Sequence, residues 1–171
     1  MRLFVAVWPP RDVGSALQQL PRPAVGGLRW TAPEQHHVTL DFLGEVADPR
    51  VAALAAALVD WARPERPVVA VAGPVTRRLG RGVLCVPVEG LEAMAAGVRA
   101  VATQFGLPRD DRPFSGHLTL ARTGRRGRLP DELVGSAVVA RWEVREVRLV
   151  ASIAGPSGPR YEPLVLAPLA G

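Results

Sequence analysis

The chain is poor in the residue types that carry redox and metal chemistry. Its 171 residues include one cysteine and three histidines. Cys85 has no partner for an internal disulfide and lies in the apolar run at 83–86, so we expect it to pack as a small hydrophobic residue. Without a cysteine cluster or an H-x-x-x-H or H-x-E pattern, the sequence gives no support for a metal site. We therefore expect neither a metal nor another cofactor.

Long apolar segments are also missing. No run of about 18 consecutive apolar residues occurs, which argues against a membrane-spanning helix. The apolar stretch at 1–8 ends at Pro9 and Pro10 and lacks a small-residue cleavage site, so it predicts a first strand rather than a secretory leader. A cytoplasmic protein is the simplest expectation.

Lysine is absent, and all 21 basic residues are arginine. The formal net charge of +5 and the pI of about 11 favour a polyanionic partner such as RNA. A GC-rich gene produces the same excess of arginine without any selection for binding. The charge is therefore compatible with an RNA or nucleotide substrate but does not establish one. No G-x-G-x-x-G or G-x-x-x-x-G-K-[ST] motif indicates a dinucleotide or ATP fold.

Two of the three histidines begin matching segments, His-Val-Thr-Leu at 37–40 and His-Leu-Thr-Leu at 117–120. Each segment predicts a strand, in which successive side chains face opposite sides. The histidine and threonine of a segment then share one face, while the apolar residues face the core. If the two strands lie close together, one cleft contains two imidazoles and two hydroxyl groups.

The remaining pattern predicts an α+β fold. Periodicity and breaker residues indicate helices at 12–20, 48–61 and 91–105, and strands at 2–8, 28–30, 37–44, 68–72, 83–88, 113–122, 142–153 and 161–166. A basic turn is expected at 124–128 and one helical turn at 130–135. This order suits a single domain, residues 1–171, with two lobes, a pseudo-duplicated arrangement of mainly antiparallel sheets flanked by helices, and a central cleft.

A pair of histidines suits acid–base chemistry on a phosphodiester. Free imidazole titrates at about pH 6.5 and serves in either protonation state. One neutral imidazole takes a proton from the attacking water, while the other, as imidazolium, donates a proton to the departing ribose oxygen. Threonine hydroxyls on the same face donate hydrogen bonds to the non-bridging phosphate oxygens. This scheme requires no metal.

The residues around both motifs carry a family resemblance. They comprise the stretches 2–6, 37–44 and 112–122, with Trp30 before the first motif, and near the C-terminus Leu149, Ser152, Gly158 and residues 161–164. In this order they resemble the RNA 2′,3′-cyclic phosphodiesterases, also described as 2′–5′ RNA ligase-like, of the two-histidine phosphoesterase superfamily. The resemblance spans essentially the whole chain.

The resemblance implies hydrolysis of a terminal ribose 2′,3′-cyclic phosphate to a 2′-phosphate. It implies that His37 is the proton donor to the leaving 3′ oxygen and His117 the proton acceptor from water, with Thr39 and Thr119 holding the phosphate. The reverse reaction, with a 5′-hydroxyl in place of water, gives ATP-independent 2′–5′ RNA ligation. The residues alone do not separate the two histidine roles, because the motifs are chemically alike.

Two positions depart from the family pattern. Gly116 stands where the family commonly has proline before the second histidine, and glycine leaves the backbone freer, so we expect a less rigidly placed His117. His36 replaces a residue that is usually apolar. As the strand neighbour of His37 it faces away from the cleft, so we expect no catalytic role for it.

Other candidates are weaker. Arg122 lies five residues after His117, so strict alternation places it on the opposite face, although a bulge returns it toward the phosphate. Phe114 and Tyr161 are candidates for stacking on a base. Phe42 and Trp30 are expected to pack in the core. A basic rim of arginines 77, 78 and 81 either faces RNA or is simply solvated.

Two rival functions stay open. The first keeps the superfamily but changes the substrate to a cyclic phosphate of ADP-ribose or a 2′–5′ oligonucleotide, because loops build such pockets. The second is an RNA-end-binding protein with little catalysis, which binds with a steep salt dependence and releases no product. The expected partners are RNA ends or nucleotides that carry the cyclic phosphate, with no membrane. The sequence gives no clear dimer surface, and a monomer is favoured.

Overall fold

The computed structural model describes residues 1–107, 112–124, 127–155 and 158–171. Three α-helices fall within these residues: α1 (Arg11–Gln18), α2 (Asp48–Ala62) and α3 (Glu92–Gln104). The strands are β1 (Arg2–Val7), β2 (Leu28–Trp30), β3 (Val38–Glu45), β4 (Val68–Ala72), β5 (Arg77–Leu79), β6 (Val83–Glu89), β7 (His117–Thr123), β8 (Ala140–Val144), β9 (Glu146–Ile153) and β10 (Arg160–Pro168). Short 3-10 turns lie at Pro33–Gln35 and Asp131–Leu133.

The strands form two antiparallel sheets. The first has the order β10-β9-β1-β3. The second has the order β2-β7-β6-β4-β8, and β5 also pairs with β6. Strands β3 and β7, which carry the two motifs, contact each other between the sheets. The predicted two-sheet α+β architecture is therefore confirmed.

Helices cover the apolar side of the sheets and close the main core. Helix α3 packs against β3, α2 packs against α3 and β10, and α1 packs against β8. Buried aliphatic side chains from both sheets and all three helices form this core. A smaller cluster of Phe4, Ala6 and Val150, with Trp8 and Tyr161 against it, is separate from the main core. No described helix has the length and apolar character needed to cross a bilayer.

The predicted boundaries hold to within about four residues except near Arg145, and strand β5 lies in a basic stretch where no strand was predicted. The pattern predicted one strand at 142–153, but the chain breaks at Arg145, so β8 belongs to the second sheet and β9 to the first. The predicted helical turn at 130–135 is the 3-10 turn Asp131–Leu133. The predicted basic turn at 124–128 includes residues 125 and 126, which lie outside the described residues.

Candidate active site

The two motif strands place their polar residues around one space. Thr39 and Thr119 are partly exposed, whereas the residues on either side of each threonine are buried, which is the alternation that the sequence predicts. His37 immediately precedes β3, and His117 is the first residue of β7. All four side chains line one cavity of about 420 Å³. The folding of the chain therefore brings together the two imidazoles and two hydroxyls.

Each histidine is oriented by a carbonyl two residues before it. His37 Nδ1 lies 2.6 Å from the Gln35 carbonyl oxygen, and His117 Nδ1 lies 2.8 Å from the Ser115 carbonyl oxygen. A carbonyl only accepts hydrogen bonds, so Nδ1 carries the proton and donates it in both rings. Nε2 is then the nitrogen available for proton transfer in each histidine, and the two rings are prepared in the same way.

A β-bulge returns Arg122 to the cleft. In the pairing of β7 with β6, Thr119 lies opposite Cys85 but Ala121 lies opposite Leu84, so Leu120 is the extra residue of β7. Leu120 and Ala121 are consequently both buried, and the alternation changes phase after them. The Arg122 guanidinium donates from Nη2 to Thr119 Oγ1 at 3.3 Å. The β-bulge that the sequence analysis considered is present, and Arg122 lines the same cavity as both motifs.

A second bulge does the same for Phe42 on β3. Thr39 lies opposite Ala6 and Asp41 lies opposite Val5, so Leu40 is the extra residue of β3. Leu40 and Asp41 are both buried, and Phe42 is 48% exposed. The expectation that Phe42 packs in the core is therefore wrong. Phe42 faces the cleft at the same spacing from His37 as Arg122 has from His117. This shared spacing is the sequence signal that could have predicted the position of Phe42.

Aromatic rings enclose His37. Its ring stacks on Trp8 with centroids 5.0 Å apart, and it contacts Phe4 at 5.1 Å and the edge of Tyr161 at 5.0 Å. This burial is the main reason that the pKa of His37 is lowered to about 4, and the positive charges of Arg122 and His117 add to the effect against the hydrogen bond to Gln35. His37 is consequently neutral at pH 7 in the free protein.

Two cavities of similar size meet at His37, Thr39, Phe42 and Arg122. The first, of about 430 Å³, extends over the first sheet and is also lined by Arg2, Phe4, Ser152 and Tyr161. The second, of about 420 Å³, extends past His117 toward α3 and is also lined by Arg99, Arg112 and Phe114. A smaller space of about 160 Å³ beside them is lined by Arg29, Trp30 and Thr31.

The two predicted stacking residues lie in different cavities. Tyr161 is in the first cavity, where its ring also meets Phe4 edge-on at 5.2 Å. Phe114 is half-buried in the second cavity. Trp30 packs against the main core, as expected, and one face of its ring carries the Arg22 guanidinium at 5.3 Å.

Other candidates lie away from this centre. His36 is 1% exposed, and burial lowers its pKa. It lines none of the three described cavities that contain His37. Arg78 pairs with Asp131 and donates to the Leu129 carbonyl at 2.9 Å. With Arg81 it lines a separate cavity, so the structure does not bring this part of the predicted basic rim to the histidines.

Gly116 fits its place closely. The Val88 amide donates to the Gly116 carbonyl at 2.8 Å. A Cβ on Gly116 would lie 2.4 Å from the Val88 carbonyl oxygen and 3.3 Å from the Phe114 ring. These contacts leave little room for a side chain at Gly116, while the less rigid placement of His117 expected from the glycine stays a prediction. Among the described residues, no three His, Cys, Asp or Glu side chains gather as a metal-binding cluster.

Comparison with known proteins places these features in a family context. The sequence matches the family described as LigT like phosphoesterase over residues 7–74 and 86–161. It is 32% identical to the RNA 2′,3′-cyclic phosphodiesterase of Archaeoglobus fulgidus, over 96% of this chain and 98% of that protein. It is 33% identical to the protein of the same name from Thermus thermophilus, over 94% of this chain and 86% of that protein.

Solved structures show the same fold. The chain superposes on the crystal structure of TT0787 of Thermus thermophilus with a TM-score of 0.85 at 32% identity, covering 100% of this chain and 99% of that one. It superposes on E. coli LigT complexed with 3′-AMP with a TM-score of 0.77 at 25% identity, covering 99% of this chain and 98% of that one.

Proposed function

The chain belongs to the LigT-like phosphoesterase family, and we propose that it hydrolyses RNA or nucleoside 2′,3′-cyclic phosphate ends to 2′-phosphates. The observation that carries the proposal is the meeting of His37, His117, Thr39 and Thr119 around one cavity. The names of the A. fulgidus and T. thermophilus relatives support the substrate, and the E. coli LigT complex with 3′-AMP supports a nucleotide-binding cleft.

The phosphate binds between the two histidines. Thr39 and Thr119 donate hydroxyl hydrogen bonds to its non-bridging oxygens, and the Arg122 guanidinium supplies the positive charge. Arg122 already donates to Thr119 Oγ1, so the hydroxyl proton of Thr119 is directed elsewhere and is available for the phosphate. These groups stabilise the charge that accumulates on the oxygens as water attacks phosphorus.

Proton transfer at the two Nε2 atoms completes the reaction. His117 removes a proton from water as the water oxygen bonds to phosphorus. The bond between phosphorus and O3′ breaks, and His37 donates a proton to O3′, which leaves the phosphate on O2′. The carbonyls of Gln35 and Ser115 hold the two rings through Nδ1 during these transfers.

The low pKa of His37 sets a condition on its donor role. The free protein holds this imidazole neutral, so a donor must be charged by the arriving substrate. A phosphate anion in contact with the ring favours the imidazolium form and offsets the burial and the repulsion from Arg122 that lower the pKa of His37. Substrate binding therefore raises the pKa of His37 in this mechanism.

A substrate with an activated leaving group tests the assignment of roles. The 4-nitrophenolate of bis(4-nitrophenyl) phosphate leaves without protonation, whereas the ribose O3′ requires a proton. His37→Ala should therefore lose much less activity on bis(4-nitrophenyl) phosphate than on cytidine 2′,3′-cyclic phosphate, and His117→Ala should lose activity on both. The opposite pattern would exchange the two roles.

The terminal base binds in the first cavity, against Tyr161 and the exposed ring of Phe42. Stacking on aromatic rings tolerates any base, so this cavity accepts RNA ends of different sequence. Phe114, the other proposed stacking residue, lies in the second cavity.

The protein requires no metal or cofactor in this scheme, and it acts as a single-domain monomer in the cytoplasm.

Product identification tests the proposal against its rivals. The purified protein is incubated in EDTA with the 2′,3′-cyclic phosphates of the four nucleosides, with an ADP-ribose cyclic phosphate and with a 2′–5′-linked dinucleotide. The proposal predicts nucleoside 2′-monophosphates, identified by chromatography and ³¹P NMR. Turnover of only the ADP-ribose or 2′–5′ substrate would instead select another two-histidine activity, and binding without turnover would indicate an end-binding protein. Addition of RNA with a 5′-hydroxyl tests for the reverse, ligating reaction.

A further inference from the structure

The second cavity is larger than one reacting phosphate needs. It begins at the catalytic pair and extends past His117 to Arg99, Arg112 and Phe114. The first cavity alone, at about 430 Å³, lies within the range of about 300 to 1,000 Å³ typical of small-ligand sites. A mononucleotide whose base occupies the first cavity and whose phosphate lies between the histidines leaves the part of the second cavity beyond His117 to another group.

The charge of the second cavity suits an anion. Its described lining includes Arg99, Arg112 and Arg122, with one acidic residue, Asp41, among them. Arg99 reaches the cavity from α3 with Nε 3.7 Å from Asp41 Oδ1, and Asp41 also accepts from the Phe42 amide at 3.1 Å. Asp41 is nearly fully buried and so holds Arg99 in place. The described lining of this cavity therefore carries three guanidiniums, which are donors suited to phosphate oxygens, beside one carboxylate.

The second cavity also contains an aromatic ring and is open at one side to a groove on α3. Phe114 is half-buried beside the cavity, so part of its ring is available to an aromatic ligand. Arg99 and Phe114 also line a groove on α3 that continues to Glu92 and Thr103. Arginine charge, an aromatic ring and an open continuation are the combination that binds single-stranded nucleic acid.

We propose that the second cavity binds a second nucleotide, with its phosphate at Arg99 and Arg112 and its base on Phe114. The inference rests on the proposed function and deepens it, because it makes an RNA end a better substrate than a single nucleotide. The second nucleotide comes either from the same strand, as the residue before the terminal one, or from a separate strand whose 5′-hydroxyl replaces water.

The first arm of the test compares a dinucleotide that ends in a 2′,3′-cyclic phosphate with the corresponding mononucleotide. We expect kcat/KM for the dinucleotide to exceed that for the mononucleotide by about tenfold, the effect of one charge-assisted hydrogen bond. Arg112→Gln should bring this ratio close to one, and Phe114→Leu should lower it. Arg63→Gln removes one positive charge from an exposed position on no described cavity and should leave the ratio unchanged.

The second arm adds ApA, which has a free 5′-hydroxyl, to the mononucleotide reaction. In a transfer to this strand, the 5′ oxygen bonds to phosphorus, the bond to O3′ breaks, O3′ gains a proton, and the 5′-hydroxyl proton passes to a histidine. A joined product that declines in Arg112→Gln assigns the cavity to a separate strand. A dinucleotide advantage without joined product assigns it to the same strand.

The two proposals fail in different ways. Turnover of the mononucleotide with no dinucleotide advantage and no joined product would overturn the second nucleotide site and leave the proposed function intact. Absence of turnover on every substrate would overturn the proposed function. In that case calorimetry tests whether the second nucleotide site exists. The wild type should still bind the dinucleotide 2′-phosphate about tenfold more tightly than 2′-AMP, whereas Arg112→Gln should bind the two with similar affinity.

Discussion

Phe42 and Arg122 occupy equivalent positions in the two halves of the cleft. Each lies five residues after a motif histidine, and each faces the cleft because a bulge adds one residue to its strand, Leu40 in β3 and Leu120 in β7. One half thus contributes an aromatic ring and the other a guanidinium to the same space. The two halves share this bulge but place different chemical groups at the equivalent position.

Arg122 is the arginine that we propose binds the phosphate. Arg122→Gln should lower kcat/KM on a nucleoside 2′,3′-cyclic phosphate by about 100-fold, because one positioned donor to a developing phosphate charge is removed. Arg63→Gln, with the same loss of charge at an exposed site, should retain activity. Equal effects from the two variants would show that only the net charge of the protein matters.

Phe42 is the ring that we propose binds the terminal base. Phe42→Ala should raise KM by about tenfold with little change in kcat, since stacking on one base contributes about 1–3 kcal/mol and the ring does not touch the reacting atoms. Val139→Ala, which also trims an exposed apolar side chain, should leave both constants unchanged. A fall in kcat with constant KM would place Phe42 in the chemical step instead.

His37 should titrate far below an ordinary histidine. NMR of the free protein should show its ring protonating at about pH 4, and bound 2′-AMP should move this midpoint upward, because the phosphate favours the charged ring. Replacing His117 with alanine should also raise the pKa, since it removes one neighbouring charge. Because the folded pKa lies below the ordinary value of 6.5, His37 should reduce folding stability as pH falls from about 6.5 to about 4. A midpoint near 6.5 without ligand would contradict the enclosed site.

Gly116 should be required by packing. Gly116→Ala places a Cβ 2.4 Å from the Val88 carbonyl oxygen, so we expect the free energy of unfolding to fall by about 1–3 kcal/mol in a urea titration. Gly14→Ala is the matched control. Gly14 lies in α1 with no atom near its Cβ position, so alanine there should stabilise the protein by about 0.5–1 kcal/mol. Full stability of Gly116→Ala would mean that β6 and β7 adjust freely before His117.

The sequence predicts the motif faces well because they depend only on local alternation. Thr39 and Thr119 face the cleft in the way that a period of two requires. The helices follow for the same reason, since their apolar periodicity and the breaker residues that end them are local.

The bulges were harder to predict because they depend on pairing with distant strands. Leu40 is extra only relative to β1, and Leu120 only relative to β6. The same limit explains the break at Arg145, where neighbouring strands pair in different sheets. The enclosure of His37 by Trp8, Phe4 and Tyr161 also joins three distant parts of the chain.

We propose that His37 and His117 act together on one phosphate. The most direct test is kcat/KM for cytidine 2′,3′-cyclic phosphate in EDTA, measured for the wild type, His37→Ala, His117→Ala and the double variant, with circular dichroism to show that each is folded. Each single variant should lose about 100- to 10,000-fold, and the double variant should lose little more, as expected for groups that work as a unit. Retention of activity within about tenfold of the wild type by either single variant would contradict the account.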